Sequence, residues 1–301
     1  LSVPAGWHSN EGTLARSLEL SGRGLHTGRR VNVRVVPREA GGIVFRRMGG
    51  GRALADLPAS PAIRLAQPLC TMLEDQSGVR VRTVEHLLAS LLACEIDHAI
   101  VELDAEEVPI LDGSALPWTQ AVNACGRRSL PSRKRFIRVL RPISVEDGAG
   151  TKNVRSMRIE PCDRYEMSVR NDLNGFGNLH WDGAITPASF ATEIAPSRSY
   201  GRVKWAALAI LVGYLRGVPI LRGARLSSTA AIIGSKVIGG MRLPDEFVRH
   251  RVLDLVGDLA LGGAPLLGRL TAQRPSHEMN YRLLAALLAE SDAWEWTEFS
   301  T

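Results

Sequence analysis

Two halves of this chain run in the same order, strands first and helices later, and that order limits the folds open to it. In the first half Leu18 and Leu20 alternate with polar residues, a Gly-rich turn follows over 21–28, and Val31, Val33 and Val35 resume the alternation. Short strands are predicted at 43–45 and 79–82, with an irregular, Pro-containing stretch (53–72) between them. Thr83 is predicted to cap a helix reaching about Cys94, a strand to span 99–103, and Pro117 to start a helix ending near Gly126. The second half repeats the order. Strands are predicted at 137–145, 155–159 and 166–171, then an irregular polar stretch to Ala188, an apolar segment over 203–221 and a short strand at 230–233. A helix from 245, a strand at 266–271 and a helix at 280–290 complete it. Strands followed by helices in each half predict α+β domains, each a sheet with a helical layer. The boundaries fall at 13–126 and 136–301, with the basic, Pro-containing segment 127–134 as linker and residues 1–12 as a leading tail without signal-peptide features.

Composition narrows the function classes. The formal charge is +6, but the basic residues are scattered and aromatics make up only 5%, so no basic stripe with interleaved aromatics suggests nucleic acid. Anionic small molecules, or an anionic membrane surface touched transiently, suit the charge better. No run of 18 apolar residues predicts a spanning helix. Cys70, Cys94, Cys125 and Cys162 form no C-x-x-C pair and read as reduced thiols of a cytoplasmic protein.

The helix predicted over 245–262 carries the chemistry. Asp245 reads as its N-cap, Phe247, Leu255 and Leu259 as its buried stripe, and Gly262-Gly263 as its end. His250, Asp254 and Asp258 project from one face at intervals of four. That spacing suits either a polar helix face with local ion pairing or a shared metal ion. Glu85 and His86 sit together at a predicted helix start, about 100° apart around the axis. One can ligate while the other acts as base; alternatively, Glu85 only favours the helix dipole. His277, just before the last predicted helix, reads as a surface residue or as a proton donor. His26 lies in the glycine-flanked turn, where backbone comes close to a ligand. His98 and His180 read as structural. By spacing, His86, His250, Asp254 and a water make a four-coordinate zinc pattern, without the HExxH of zincin proteases.

Six ordered stretches carry a resemblance: 22–28 (GRGLHTG), 69–73 (LCTML), 83–91 (TVEHLLASL), 107–115 (EVPILDGSA), 245–259 (DEFVRHRVLDLVGDL) and 276–280 (SHEMN). The chain resembles, over about 13–299, the zinc-dependent UDP-3-O-acyl-N-acetylglucosamine deacetylases of Gram-negative bacteria, which act at the committed step of lipid A synthesis. The resemblance implies two similar domains packed as a sheet–helix–helix–sheet sandwich, each with a small insert. It implies one Zn2+ on His86, His250 and Asp254, Glu85 as general base, and His277 as general acid held by Asp258. Ser199 stands where the family usually has the Thr that helps bind the oxyanion. The second insert, about 202–234, is implied to form an apolar acyl-chain passage, with Trp205, Leu208 and Leu211 on its wall. Arg251 and Lys152 would meet the diphosphate; His26, Cys70 and Tyr200 complete the implied substrate contacts. The implied partner is an acylated UDP-sugar, with no nucleic acid and no stable membrane insertion.

The departures from the family pattern fall on the substrate side. Arg251 replaces a usual Lys, Ser199-Tyr200 replaces Thr-Phe, the segment 202–229 is longer, and 171–175 lacks the usual stretch. They leave open a paralogue acting on another acetamido sugar or secondary metabolite, and a degenerate relative that only binds.

Overall fold

The structure is a computed structural model that describes residues 3–151 and 154–299. It is α+β. The first half forms a five-stranded sheet in the order Leu18–Arg23, Arg30–Pro37, Ala99–Leu103, Ile43–Gly49, Arg52–Pro58. The second forms a seven-stranded sheet. Its main path runs Ile143–Asp147, Arg155–Glu160, Leu266–Gln273, Arg135–Val139, Trp294–Glu298. Tyr165–Leu173 also pairs with Leu266–Gln273, and Gly177–Ala184 pairs with Tyr165–Leu173.

Between the sheets lie the helices. Glu85–Ala93 packs on Glu246–Leu259, which rests on Tyr165–Leu173 and Gly177–Ala184. The nine-residue helix Glu85–Ala93 is too short to persist alone. It is buried at every position but Leu92, so packing holds it. Apolar side chains from both halves, including Leu87, Leu91, Leu255 and Leu284, join in one core. Each half also carries a small three-stranded sheet. One comprises Arg64–Leu65, Met72–Glu74 and Arg80–Arg82; the other comprises Tyr200–Arg202, Ala230–Ile233 and Lys236–Val237, with the helix Val203–Leu215 leading out of it. Among the described residues no helix is long and apolar enough to cross a membrane. The chain returning from Val203–Leu215 is stitched to the first half. The amides of Arg222 and Gly223 donate to the carbonyls of His26 and Leu25 at 3.1 and 2.9 Å.

Several sequence expectations are corrected. The expected linker is a strand, Arg127–Arg133, antiparallel to Asn10–Leu14. Lys134 behind it is buried against Asp97. The expected tail packs instead: Trp7 meets Phe136 edge-on with ring centroids 6.0 Å apart. Thr83 is not a cap. It has φ +56°, and its hydroxyl donates to Glu107. Asp245 occupies the N-cap position at φ +53° with no side-chain cap bond. The last helix starts at His277, where the Ser276 hydroxyl accepts from the Met279 amide. Strands Arg52–Pro58, Gly177–Ala184 and Trp294–Glu298 lie where none was expected. Each is a largely solvent-facing sheet edge, with no more than one buried residue to mark it as a strand.

Candidate active site

Glu85–Ala93 and Glu246–Leu259 approach closely enough that Gly257 has no room for a side chain. This contact brings His86, at the start of one helix, against His250 and Asp254, one turn apart on the other. One ligand atom from each lies within 4.8 Å of the others, and all three residues are buried. The imidazoles meet edge-on, centroids 5.2 Å apart. Asp254 Oδ1 is 3.7 Å from His86 Nε2 and 3.5 Å from His250 Nε2, too far for good hydrogen bonds.

The donor chemistry fits a metal. Burial lowers the His250 pKa to about 4, so the ring is neutral at neutral pH. Its Nδ1 is 3.2 Å from the Ser197 carbonyl; donation there leaves the Nε2 lone pair facing Asp254. Burial opposes the Asp254 charge, but His250 and His277 outweigh it and hold the carboxyl well below its ordinary range. Two imidazole nitrogens and a carboxylate oxygen, buried together, suit Zn2+ with an open position. His86 Nδ1 has no hydrogen-bond partner among the described residues.

Beside this trio stand two proton-handling groups. Glu85 Oε2 accepts from the Thr71 amide at 3.1 Å, while Oε1 is 4.0 Å from His277 Nε2. Burial pushes the Glu85 carboxyl up to about 7, against the lowering pull of His277 and His86. His277 Nδ1 donates to Asp258 Oδ2 at 2.8 Å, and Asn280 Nδ2 donates to the same oxygen at 2.8 Å. The Thr71 hydroxyl donates to Asp258 Oδ1. Burial alone would lower the His277 pKa; Asp258, and then Asp254, outweigh it and raise it to about 10. The arrangement places a carboxylate able to take a proton opposite an imidazolium able to give one.

These groups end a cavity of about 1590 Å³ lined by residues of both halves. Glu85, His86, Ser199, Tyr200, Trp205, His250, Arg251, Asp254 and His277 all reach its wall. Ser199 is fixed through its backbone: its amide donates to the Gly113 carbonyl at 2.6 Å, and its carbonyl accepts from the Ala230 amide at 2.8 Å. Other expected contacts lie elsewhere. Cys70 is buried behind the wall, its thiol pushed up by burial. His26 is also buried there, its Nε2 without a partner among the described residues. Leu208 and Leu211 are 48% and 56% exposed and absent from the lining; Ala206 and Ala209 take the inward face of that helix. Lys152 lies outside the described residues.

Arg251 and Tyr200, both read from the sequence as departures on the substrate side, touch each other. Arg251 Nε donates to the Tyr200 hydroxyl at 3.0 Å, with the guanidinium carbon 5.1 Å from the ring centroid. Arg251 Nη1 donates to Asp254 Oδ2 at 3.2 Å. Sequence reasoning passed over Thr71, Asn280 and Glu107. All three sit inside recognised stretches, but as single polar residues with no periodicity of their own. The Glu107 carboxylate is buried and accepts from the amides of His26 and Thr27 and from both nearby Thr hydroxyls, holding the 24–28 turn.

Known proteins are similar in sequence along nearly the whole chain. A UDP-3-O-acyl-N-acetylglucosamine deacetylase from Pseudoalteromonas translucida (strain TAC 125) is 35% identical over 296 residues, covering 96% of this chain and 94% of that protein. Proteins of the same name from Aliivibrio fischeri (strain ATCC 700601 / ES114) and Phenylobacterium zucineum (strain HLK1) are each 34% identical. The first covers 95% of this chain and 92% of its own length, the second 93% and 94%. Residues 11–289 match the LpxC family, UDP-3-O-acyl N-acetylglycosamine deacetylase, and the chain belongs to that family.

Proposed function

We propose that this chain is a cytoplasmic zinc-dependent amidohydrolase that removes acetate from the 2-acetamido group of UDP-3-O-acyl-N-acetylglucosamine, at the committed step of lipid A synthesis. The observation that carries this reading is the buried His86–His250–Asp254 trio facing Glu85 and the Asp258-held His277 across one cavity end. The three residues would hold Zn2+, whose chemistry when bound is to polarise the amide carbonyl and acidify water. Glu85 takes the water's proton. Ser199 offers a hydroxyl to the developing oxyanion. His277 protonates the leaving amine from Nε2, because its Nδ1–H is committed to Asp258. Arg251, braced by Tyr200, faces the substrate from beside the metal site. The two domains, 13–126 and 136–301, each contribute one part of the centre.

Metal content and acetate release test the reading together. The purified protein should hold one zinc per chain, lose activity to a chelator and regain it with zinc. His86→Ala and Asp254→Ala should lose the metal. Glu85→Gln should keep it and lose about 10²–10⁴-fold in kcat. Acetate release from the acylated UDP-sugar should exceed that from its non-acylated counterpart. A fully active metal-free preparation, or equal rates on both sugars, would contradict the assignment.

A further inference from the structure

The segment 194–244 contains no acidic residue and eight basic ones. Five of these, Lys204, Arg216, Arg222, Arg225 and Lys236, are exposed, and none is paired with a carboxylate among the described residues. The same segment is built inside out. In the helix Val203–Leu215, the small residues Ala206, Ala209 and Gly213 face the body of the protein, at spacings of three and four. The large apolar residues turn away: Leu208, Leu211, Tyr214 and Leu215 are 48%, 56%, 75% and 75% exposed. Trp205, 58% exposed, sits where the two faces meet and also lines the cavity, as does Leu226 beyond the helix, 64% exposed.

We propose that this face lies on the surface of a bilayer containing anionic lipid, with the outward stripe in the headgroup region and the five unpaired basic side chains on lipid phosphates. Thirteen residues rise about 20 Å, short of the roughly 20 residues a span needs. The helix, apolar all round and flanked by Lys204 and Arg216, therefore rests in the interface plane with its exposed apolar side chains toward the lipid and those two cations beside the headgroups. Charge selects this occupant over a second copy of the chain. A two-fold contact would set the same unpaired cations against each other, whereas anionic headgroups neutralise them. Docking in this pose puts the apolar mouth of the cavity at the lipid surface. The proposal does not depend on the reaction, and its test uses no substrate.

The test is co-sedimentation of the intact protein with phosphatidylcholine vesicles with and without phosphatidylglycerol. Binding should require the anionic lipid and be reversed by salt. The double variant Arg222→Gln/Arg225→Gln should bind more weakly by about fivefold per residue removed, and Leu208→Glu/Leu215→Glu should bind more weakly still. Circular dichroism and the melting temperature establish that each variant is folded. Failure of the wild-type protein to bind anionic vesicles overturns the proposal. So does binding that neither folded variant weakens. A lipid-free dimer that Leu208→Glu/Leu215→Glu dissolves, without vesicle binding, would make the face a self-association surface instead.

Discussion

Gly257 stands directly against the backbone of Glu85: a Cβ added to Gly257 would lie 2.1 Å from the Glu85 carbonyl oxygen. The two helices that supply the candidate metal site touch at this point, and their spacing sets the distance between His86 and the His250–Asp254 pair.

Gly257→Ala should therefore separate the helices. Overpacking at a backbone contact costs about 1–3 kcal/mol. The visible effects should be a lower melting temperature together with weaker zinc retention. A variant with wild-type stability and metal affinity would show that the contact is slack.

The Arg251–Tyr200 contact predicts coupling. Arg251→Lys removes the planar fork that reaches both the Tyr200 hydroxyl and Asp254. Tyr200→Phe removes the acceptor. Each change should lower kcat/KM, and the double variant should lose less than the sum of the two. A coupling energy of about 0.5–3 kcal/mol is the ordinary range for residues in contact. Strict additivity, or a gain for Arg251→Lys alone, would mean that the pair is incidental.

With His277 as the proposed proton donor, the pH profile follows from its pKa. A proton donor must be charged, so activity falls as pH rises through its pKa. Asp258 holds that pKa above the ordinary imidazole value, which places the basic limb well above 6.5. Asp258→Asn removes the main raising charge and should move the basic limb to lower pH, with zinc still bound. An unmoved limb would assign it to another group.

Glu246 anchors the start of the helix that carries His250 and Asp254. It is fully buried and accepts from Arg198 Nε and Nη2 and from the amides of Arg198 and Arg242. Burial raises its pKa, but these donors outweigh burial and lower it below 4.5. A depressed folded pKa stabilises the protein above the unfolded value, and that contribution disappears as pH falls through the folded one. Glu246→Ala should cost about 3–5 kcal/mol by leaving Arg198 buried and uncompensated. It should also flatten the acid side of the stability curve, as read from urea melts between neutral and acidic pH.

The inward face of Val203–Leu215 predicts chain-length control. Ala209→Trp, on the cavity wall, should raise KM for long acyl chains more than for short ones, at ~0.8 kcal/mol per methylene excluded. Leu208→Glu, on the outward face, should leave that ratio unchanged in the absence of lipid.

Much of the candidate site's grouping was legible because its residues are rare types at helical spacing. His250 and Asp254 point together through the geometry of one helix, and the Glu85-His86 pair marks the start of another. Direction was harder to read. The segment 203–221 is apolar on every side, so its sequence has no period to say which residues face the cavity, and Leu208 and Leu211 turn out to face solvent. The 127–134 segment looked like a linker because six of its eight residues are Arg, Ser or Pro. It forms a strand because Asn10–Leu14, far away in sequence, offers an edge. Thr71 and Asn280 reach the site through Asp258, and Thr71 also through its amide on Glu85, contacts that no local pattern connects.

The stitching of 222–223 to the glycine-bearing turn has a consequence for exchanging parts between relatives. A Cβ at Gly223 would meet the Gly24 carbonyl at 2.1 Å, and one at Gly24 would meet the Glu107 carboxylate at 2.1 Å. The helical excursion is thus not a detachable cassette. Its far end is seated on the 24–26 turn of the other half of the molecule, which Glu107, itself bonded to Thr83, holds in place. A chimera that transplants a foreign 202–234 segment to change acyl preference must bring its own 22–28 turn with it, or the graft will hang from one hinge.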